Sequence, residues 1–162
     1  MQKNWHLTEG LIACHFAGLF AVTGYGDAAV RVLAFEPRVL LAKPWSLFTY
    51  QFLSSSMLWF LFSMIVLWVM GRTLENDWGS PRFGVFWLVS TLGAAAAAAI
   101  VGYPLAGDVL FGASLLFAFA TVYPEIEFRL FLLIPVKVKY LAVIGGAILV
   151  YSSLQMGLRF GL

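Results

Sequence analysis

From Leu47 to Met70 the chain carries no charged residue. Read as helix at about 1.5 Å per residue, that run is about 36 Å long, enough to cross the hydrocarbon core of a bilayer with some tilt. A chain holding such a stretch is committed to a membrane, and the remaining sequence reads as its helical partners. Pro44-Trp45 leads into it. Its middle carries Ser54, Ser55 and Ser56, then Ser63, a polar cluster that lipid disfavours and that therefore predicts a seam facing other helices. Its exit, Gly71 to Phe83, gathers Arg72, Glu75, Asp77 and Arg82 into a stretch with two glycines and predicts a tight charged hairpin at the water interface.

Composition extends this reading to the whole chain. Of 162 residues, 62% are hydrophobic and 11% charged, against about 25% charged in soluble domains. The expected fold is all-α, a single multi-pass membrane helix bundle over 1–162. A net charge of +2 with no run of Lys and Arg excludes nucleic acid as a partner. Cys14 is the sole cysteine, so neither an intrachain disulfide nor a thiolate metal cluster can form.

In chain order, the first span is expected over Leu7 to Tyr25, with Thr8 placed to cap its start and Gly24 and Gly26 at its end. It is read as a retained helix, because no small-residue cleavage signature follows its apolar run. Gly26 to Trp45 mixes Asp27, Arg31, Glu36, Pro37, Arg38, Lys43 and Pro44 with aliphatic residues and predicts an interfacial loop with short amphipathic turns. The third span runs from about Phe83 to Gly102, where Gly93 precedes six alanines that permit close approach of a neighbouring backbone. The fourth, Val109 to about Tyr123, is only about 22 Å long and must be surrounded by other helices. An amphipathic connector follows over Glu125 to Lys139. The fifth span, Tyr140 to about Gln155, sets Ala142 four residues from Gly146, and Ser153 lies four from Gly157, the small-residue spacing of close helix contacts. Five spans place Lys3, Arg72, Arg82, Arg129, Lys137 and Lys139 on one side and Arg31, Arg38, Lys43 and Arg159 on the other. That bias puts the N-terminus in the cytoplasm, and the expected location is a bacterial inner membrane or its equivalent.

Several patches in this order resemble the rhomboid family of intramembrane serine proteases. They are Leu11-Ile12; Pro44-Trp45, then Thr49-Tyr50 leading to Phe52-Leu53; Gly71-x-x-Leu74-Glu75-x-x-x-Gly79-Ser80-x-Arg82-Phe83; Gly112-Ala113-Ser114; and Ile134-Pro135-Val136-Lys137. The resemblance covers nearly the whole chain and implies a buried, short fourth helix that begins with a Gly-x-Ser nucleophile, here Ser114. It also implies a histidine base from a sixth span and oxyanion donors from the second. This sequence departs from that set. Leu115 follows Ser114 where the family has glycine; Ser54, Trp59 and Ser63 stand where the family has His, His and Asn; Ser46 replaces an arginine after Trp45; and the chain shown ends where the histidine-bearing helix would begin.

Each candidate has a plainer reading. Ser114, with Gly112 and Ala113 before it and Ala118 four residues on, reads as helix packing ahead of nucleophile. His15, about 12 Å into the first span, reads as a polar packing residue at a point where rhomboids often have Asn. Pairing with Ser114, or ligation of a haem- or chlorophyll-type metal, ranks below that. No cofactor and no metal are expected. Trp59, Trp68 and Trp87 read as lipid-facing or packing residues, and Glu75 and Arg82 as the frame of the charged turn. The expected function is that of a non-catalytic rhomboid-like protein, a subunit or adaptor that binds transmembrane helices of other integral membrane proteins through Gly112, Ser114, Ala118 and Gly146. The alternative is a rhomboid protease, nucleophile Ser114, whose C-terminal helix is missing from this chain.

Overall fold

The structure is a computed structural model that describes residues 6–54, 56–130 and 134–160. Ser55, the triplet Phe131 to Leu133 and the side chains of Ser153 and Gly157 lie outside the described residues. The chain divides into two compact units, Met1–Gly112 and Ala113–Leu162.

The fold is a membrane helix bundle. Helix α1 spans Leu7–Tyr25, matching the first expected span, and α2 follows over Asp27–Leu33. A 3₁₀ turn at Pro37–Val39, a short α3 at Ser46–Thr49 and a second 3₁₀ turn at Tyr50–Phe52 complete the interfacial segment. Next come α4, Met57–Val66, a π-helical turn at Leu67–Gly71 and α5, Arg72–Trp78, which together form one apolar helix, Met57–Trp78. Helix α6 covers Ser80–Val101. In length and composition α1, Met57–Trp78 and α6 are each able to cross a membrane. Their outward residues are what lipid requires: Phe20, Leu58, Phe62, Ile65, Val85, Val89 and Ile100 are exposed.

The uncharged run from Leu47 is not one helix. Helical structure stops at Leu53, whose backbone is extended (φ −84°, ψ 140°), and restarts at Met57 after Ser56, whose hydroxyl accepts from the Trp59 N–H at 3.2 Å. The serine cluster thus lies at a helix start, where Ser is a strong N-cap, and not at mid-span. The charged exit is also different from the expected hairpin. Helix continues through Glu75 to Trp78, and the reversal occurs at Gly79 alone (φ 81°, ψ 152°), a backbone conformation that favours glycine.

This extra helical turn carries Glu75 into the interior, where it is 2% exposed. Its carboxylate accepts from the Leu7 N–H at 2.6 Å, the Thr8 N–H at 2.9 Å, the Thr8 hydroxyl at 2.7 Å and the Ser80 hydroxyl at 2.5 Å. The N-cap position of α1 is His6, which makes no side-chain cap bond, so Thr8 does not cap its own helix as expected. Glu75 satisfies the orphan amides from another helix instead. Beside it, Arg72 pairs with Glu9 at 2.7 Å and lies 5.0 Å from the Trp68 ring centroid.

The interfacial segment is tied down by its own carbonyls. Lys43 Nζ, Trp45 Nε1 and Thr49 Oγ1 donate in turn to the carbonyls of Arg31, Val32 and Leu33, the last three of α2. Phe35 exchanges both backbone hydrogen bonds with Leu105 at 2.9 Å and packs with Tyr50, Ala95 and Ala98. The Tyr50 hydroxyl donates to the Thr91 carbonyl at 3.0 Å. Burial pushes that hydroxyl up to about 12, so it stays a donor. Gln51 is fully buried; its Oε1 accepts from Trp87 Nε1 and Thr91 Oγ1, and its Nε2 donates to the Phe48 carbonyl. Helix α1 meets this segment at Gly18, where a Cβ would stand 2.1 Å from the Phe52 carbonyl oxygen, so only glycine fits.

Helix α7, Val109–Val122, is 14 residues long, about 21 Å. Its buried stripe is Phe111, Leu115 and Phe119, while Val109, Phe117 and Val122 are exposed. The connector is not simply amphipathic. It forms an antiparallel hairpin of β1, Glu127–Leu130, and β2, Ile134–Lys137, in the register Glu127 to Lys137 and Leu130 to Ile134. Pro135 sits in this two-stranded sheet, where a missing N–H is tolerated at an edge. Helix α8 then runs over Val138–Phe160.

Two predictions follow from these ties. Glu75→Ala leaves the α1 amides and two hydroxyls without their acceptor, and hydrogen bonds to a charged group contribute about 1.5–3 kcal/mol each without being additive. A loss of about 3 kcal/mol or more is expected in reversible unfolding in detergent micelles, against under about 1 kcal/mol for Glu9→Ala in the half-exposed pair with Arg72. Glu125, paired with Lys137 at 2.6 Å and with Lys139, is held down to about 2 by those two ammonium groups. Its folded value lies below its ordinary one, so its contribution is present above about pH 4.5 and lost as pH falls towards 2. Amide exchange at Val138, bonded to the Ile126 carbonyl at 2.9 Å, should accelerate over that window in the wild type and lose this acid dependence in Glu125→Gln.

Candidate functional site

The residues singled out in the sequence fall in three places. Gly112, Ser114 and Ala118 lie on α7, beside its buried stripe, and each is half-buried. A Cβ added at Gly112 would meet nothing within 4 Å. Leu115, the side chain that replaces glycine after Ser114, points into the interior and is 1% exposed. Gly146, on α8, lies against Phe117: a Cβ there would stand 3.6 Å from the ring, with Gly145 similarly placed against Leu116. At Gly145 and Gly146, therefore, the residues that α8 meets belong to α7.

The second place is α4. The Ser63 hydroxyl donates to the Phe60 carbonyl of its own helix at 3.0 Å, which satisfies it locally. Trp59 is 40% exposed and rests against Phe62, ring centroids 5.7 Å apart. That exposure is consistent with an aromatic residue at the lipid boundary.

The third place is His15. The ring is 1% exposed, with Nδ1 2.8 Å from the Leu11 carbonyl and Nε2 3.9 Å from Asp108 Oδ2. Phe52 packs edge-on against it at 5.0 Å. Nδ1 is thus engaged by the helix itself while Nε2 faces a carboxylate beyond hydrogen-bond distance, and no group of three His, Cys, Asp or Glu side chains suited to a metal occurs among the described residues.

Two functional elements escaped the sequence reading. Asp108 belongs to no sequence motif; its proximity to His15 links residues 93 apart in sequence, and no local pattern reports that. Glu75 was assigned to an exposed turn. The signal that would have corrected it is the helix-compatible spacing of Met70, Gly71, Leu74 and Glu75, which continues the buried face of the second span to its end.

Apolar spans with lipid-facing exteriors and a buried carboxylate hub at the head of α1 are those of a multi-pass integral membrane protein. Residues 7–160 match the family described as eukaryotic integral membrane protein (DUF1751), and the chain belongs to that family. The family is a rhomboid-like one, in keeping with the resemblance carried by the motifs. No curated protein matches the chain. Because the family is described as eukaryotic, the expected bacterial inner membrane is not supported; the protein is an integral membrane protein.

Proposed function

We propose that this protein is a non-catalytic rhomboid-like membrane subunit or adaptor that seats a transmembrane helix of a partner along the Gly112, Ser114 and Ala118 side of α7, with its own N-terminus in the cytoplasm. The observation that carries the proposal is the open space at Gly112, where a Cβ would find no neighbour within 4 Å. Lipid tails fill a cleft beside small residues poorly. Helices in a membrane associate largely through close packing, so a smooth, small-residue flank suits a helix. The absence of catalysis is supported by Ser63, whose hydroxyl is committed to Phe60, and by Trp59, an exposed indole. These stand at positions where the rhomboid likeness would call for donors to an oxyanion.

Photo-crosslinking from a probe placed at Gly112 should capture a membrane-protein helix, and Gly112→Leu and Ser114→Leu should each weaken that association about tenfold, equivalent to about 1.4 kcal/mol. Leu58→Ala, at a lipid-exposed position, should leave it unchanged. Labelling of lipid alone at Gly112 would end the proposal. Fluorophosphonate should give no stoichiometric labelling; a label that vanished in Ser114→Ala would restore the protease reading.

A further inference from the structure

Where α1 meets the segment before α7, buried polar atoms face one another without bonding. The His15 ring and Asp108 are both buried. The Leu11 carbonyl, which only accepts, takes the Nδ1 hydrogen of His15 at 2.8 Å, and Nε2 is the atom turned towards Asp108. Nε2 and Asp108 Oδ2 are 3.9 Å apart, beyond the limit of about 3.2 Å for a direct hydrogen bond. Asp108 Oδ1 has no partner, and Ser54 Oγ is the other buried side-chain atom of that kind among the described residues. Ser54 follows Leu53, whose carbonyl oxygen is 3.6 Å from the Cβ position of Gly107, the residue before Asp108. Apart from the chain neighbours of Gly107, that oxygen is the one heavy atom of the described residues within 4 Å of such a Cβ. Space the size of a small molecule therefore lies beside Asp108, bordered by a carbonyl.

We propose that this junction is a water-binding site, in which a buried water bridges His15 Nε2 and the Asp108 carboxyl group. A water about 2.8 Å from each of two atoms that are 3.9 Å apart holds them at an angle of about 90°, so both hydrogen bonds form with little bend. Because water both donates and accepts, the bridge does not depend on which of the two groups carries a hydrogen. Internal waters make about three hydrogen bonds each, and the third here is offered by the Leu53 carbonyl or by Asp108 Oδ1. Leaving several such atoms bare in a buried position is costly, and immobilising one water costs less. The Phe52 ring, edge-on to His15 with centroids 5.0 Å apart, closes the imidazole off on another side. The site is thus a wet joint between α1 and the chain entering α7, one helical turn from the contact of Gly18 with the Phe52 carbonyl.

The test uses the full chain in lipid bilayers, with water protons as the probe. His6 and His15 are the two histidines, and His6 makes no side-chain cap bond to α1. In a His6→Gln protein labelled with ¹⁵N-histidine, solid-state NMR therefore observes the His15 ring by itself. Magnetisation should pass from water protons to Nε2. Its build-up should be several-fold slower in Asp108→Leu, which removes one partner and fills its space. Asp108→Asn, which keeps an oxygen acceptor, should retain it. Transfer to Nδ1 alone, whose hydrogen can exchange with solvent, overturns the proposal, as does the lack of transfer to either nitrogen in the folded His6→Gln protein. Equal build-up at Nε2 in a folded Asp108→Leu protein overturns it too. If Asp108→Leu does not fold, loss of the Nε2 signal in Asp108→Asn has the same force.

Discussion

The buried carboxylate of Glu75 is the constraint on which the first unit depends. A helix entering a membrane leaves its first amides without partners, and lipid offers none. Here the donors of Leu7 and Thr8 are met by an acid from another helix, and the same acid receives the Ser80 hydroxyl at the head of a third. Three helix ends therefore converge on one charge. Its cost of burial is offset because every donor around it is fixed by backbone or by a short side chain, so the site needs little reorganisation to hold an anion. Gly71 lies at this convergence, its Cβ position 3.5 Å from both Phe83 and Thr8, ordinary packing distance.

A second set of polar ties fixes the interfacial segment without a cofactor or disulfide. The last carbonyls of α2 face Lys43, Trp45 and Thr49, so a stretch whose composition reads as loop is held at its acceptors. Gln51 does the corresponding work towards α6 through Trp87 and Thr91. These side chains come from different parts of the chain, and their pairing sets how deeply α3 and its following turn sit. Gly18 then allows α1 to close on that turn at backbone distance, which brings His15 to Phe52 and to Asp108.

Hydropathy made much of this legible. The bounds of α1 were readable because Tyr25 and Gly26 end an uncharged run, and α6 and α7 were readable from Gly79, Gly102 and the Gly107-Asp108 pair that punctuate them. What hydropathy could not locate was the break between Leu53 and Met57. Apolar composition continues straight through it, and the stop is made by the serine that caps the next helix. The hairpin after Pro124 was hidden for a related reason: alternation of charge and apolar residues over four-residue strands also fits a short amphipathic helix. The candidate residues on α7 were found through a motif, whereas Asp108 was invisible because its meaning lies in a partner 93 positions away.

The single-residue reversal at Gly79 has a consequence for how the protein enters its membrane. Met57–Trp78 and Ser80–Val101 are joined with no intervening loop, so the polar residues between the two apolar stretches are themselves helical and no separate loop divides the spans. Neither span can be released into lipid while the other waits outside. The two must partition as one hairpin, already folded back at its tip, and the charged side chains of Arg72 and Arg82 remain with that tip on the side from which the hairpin was inserted.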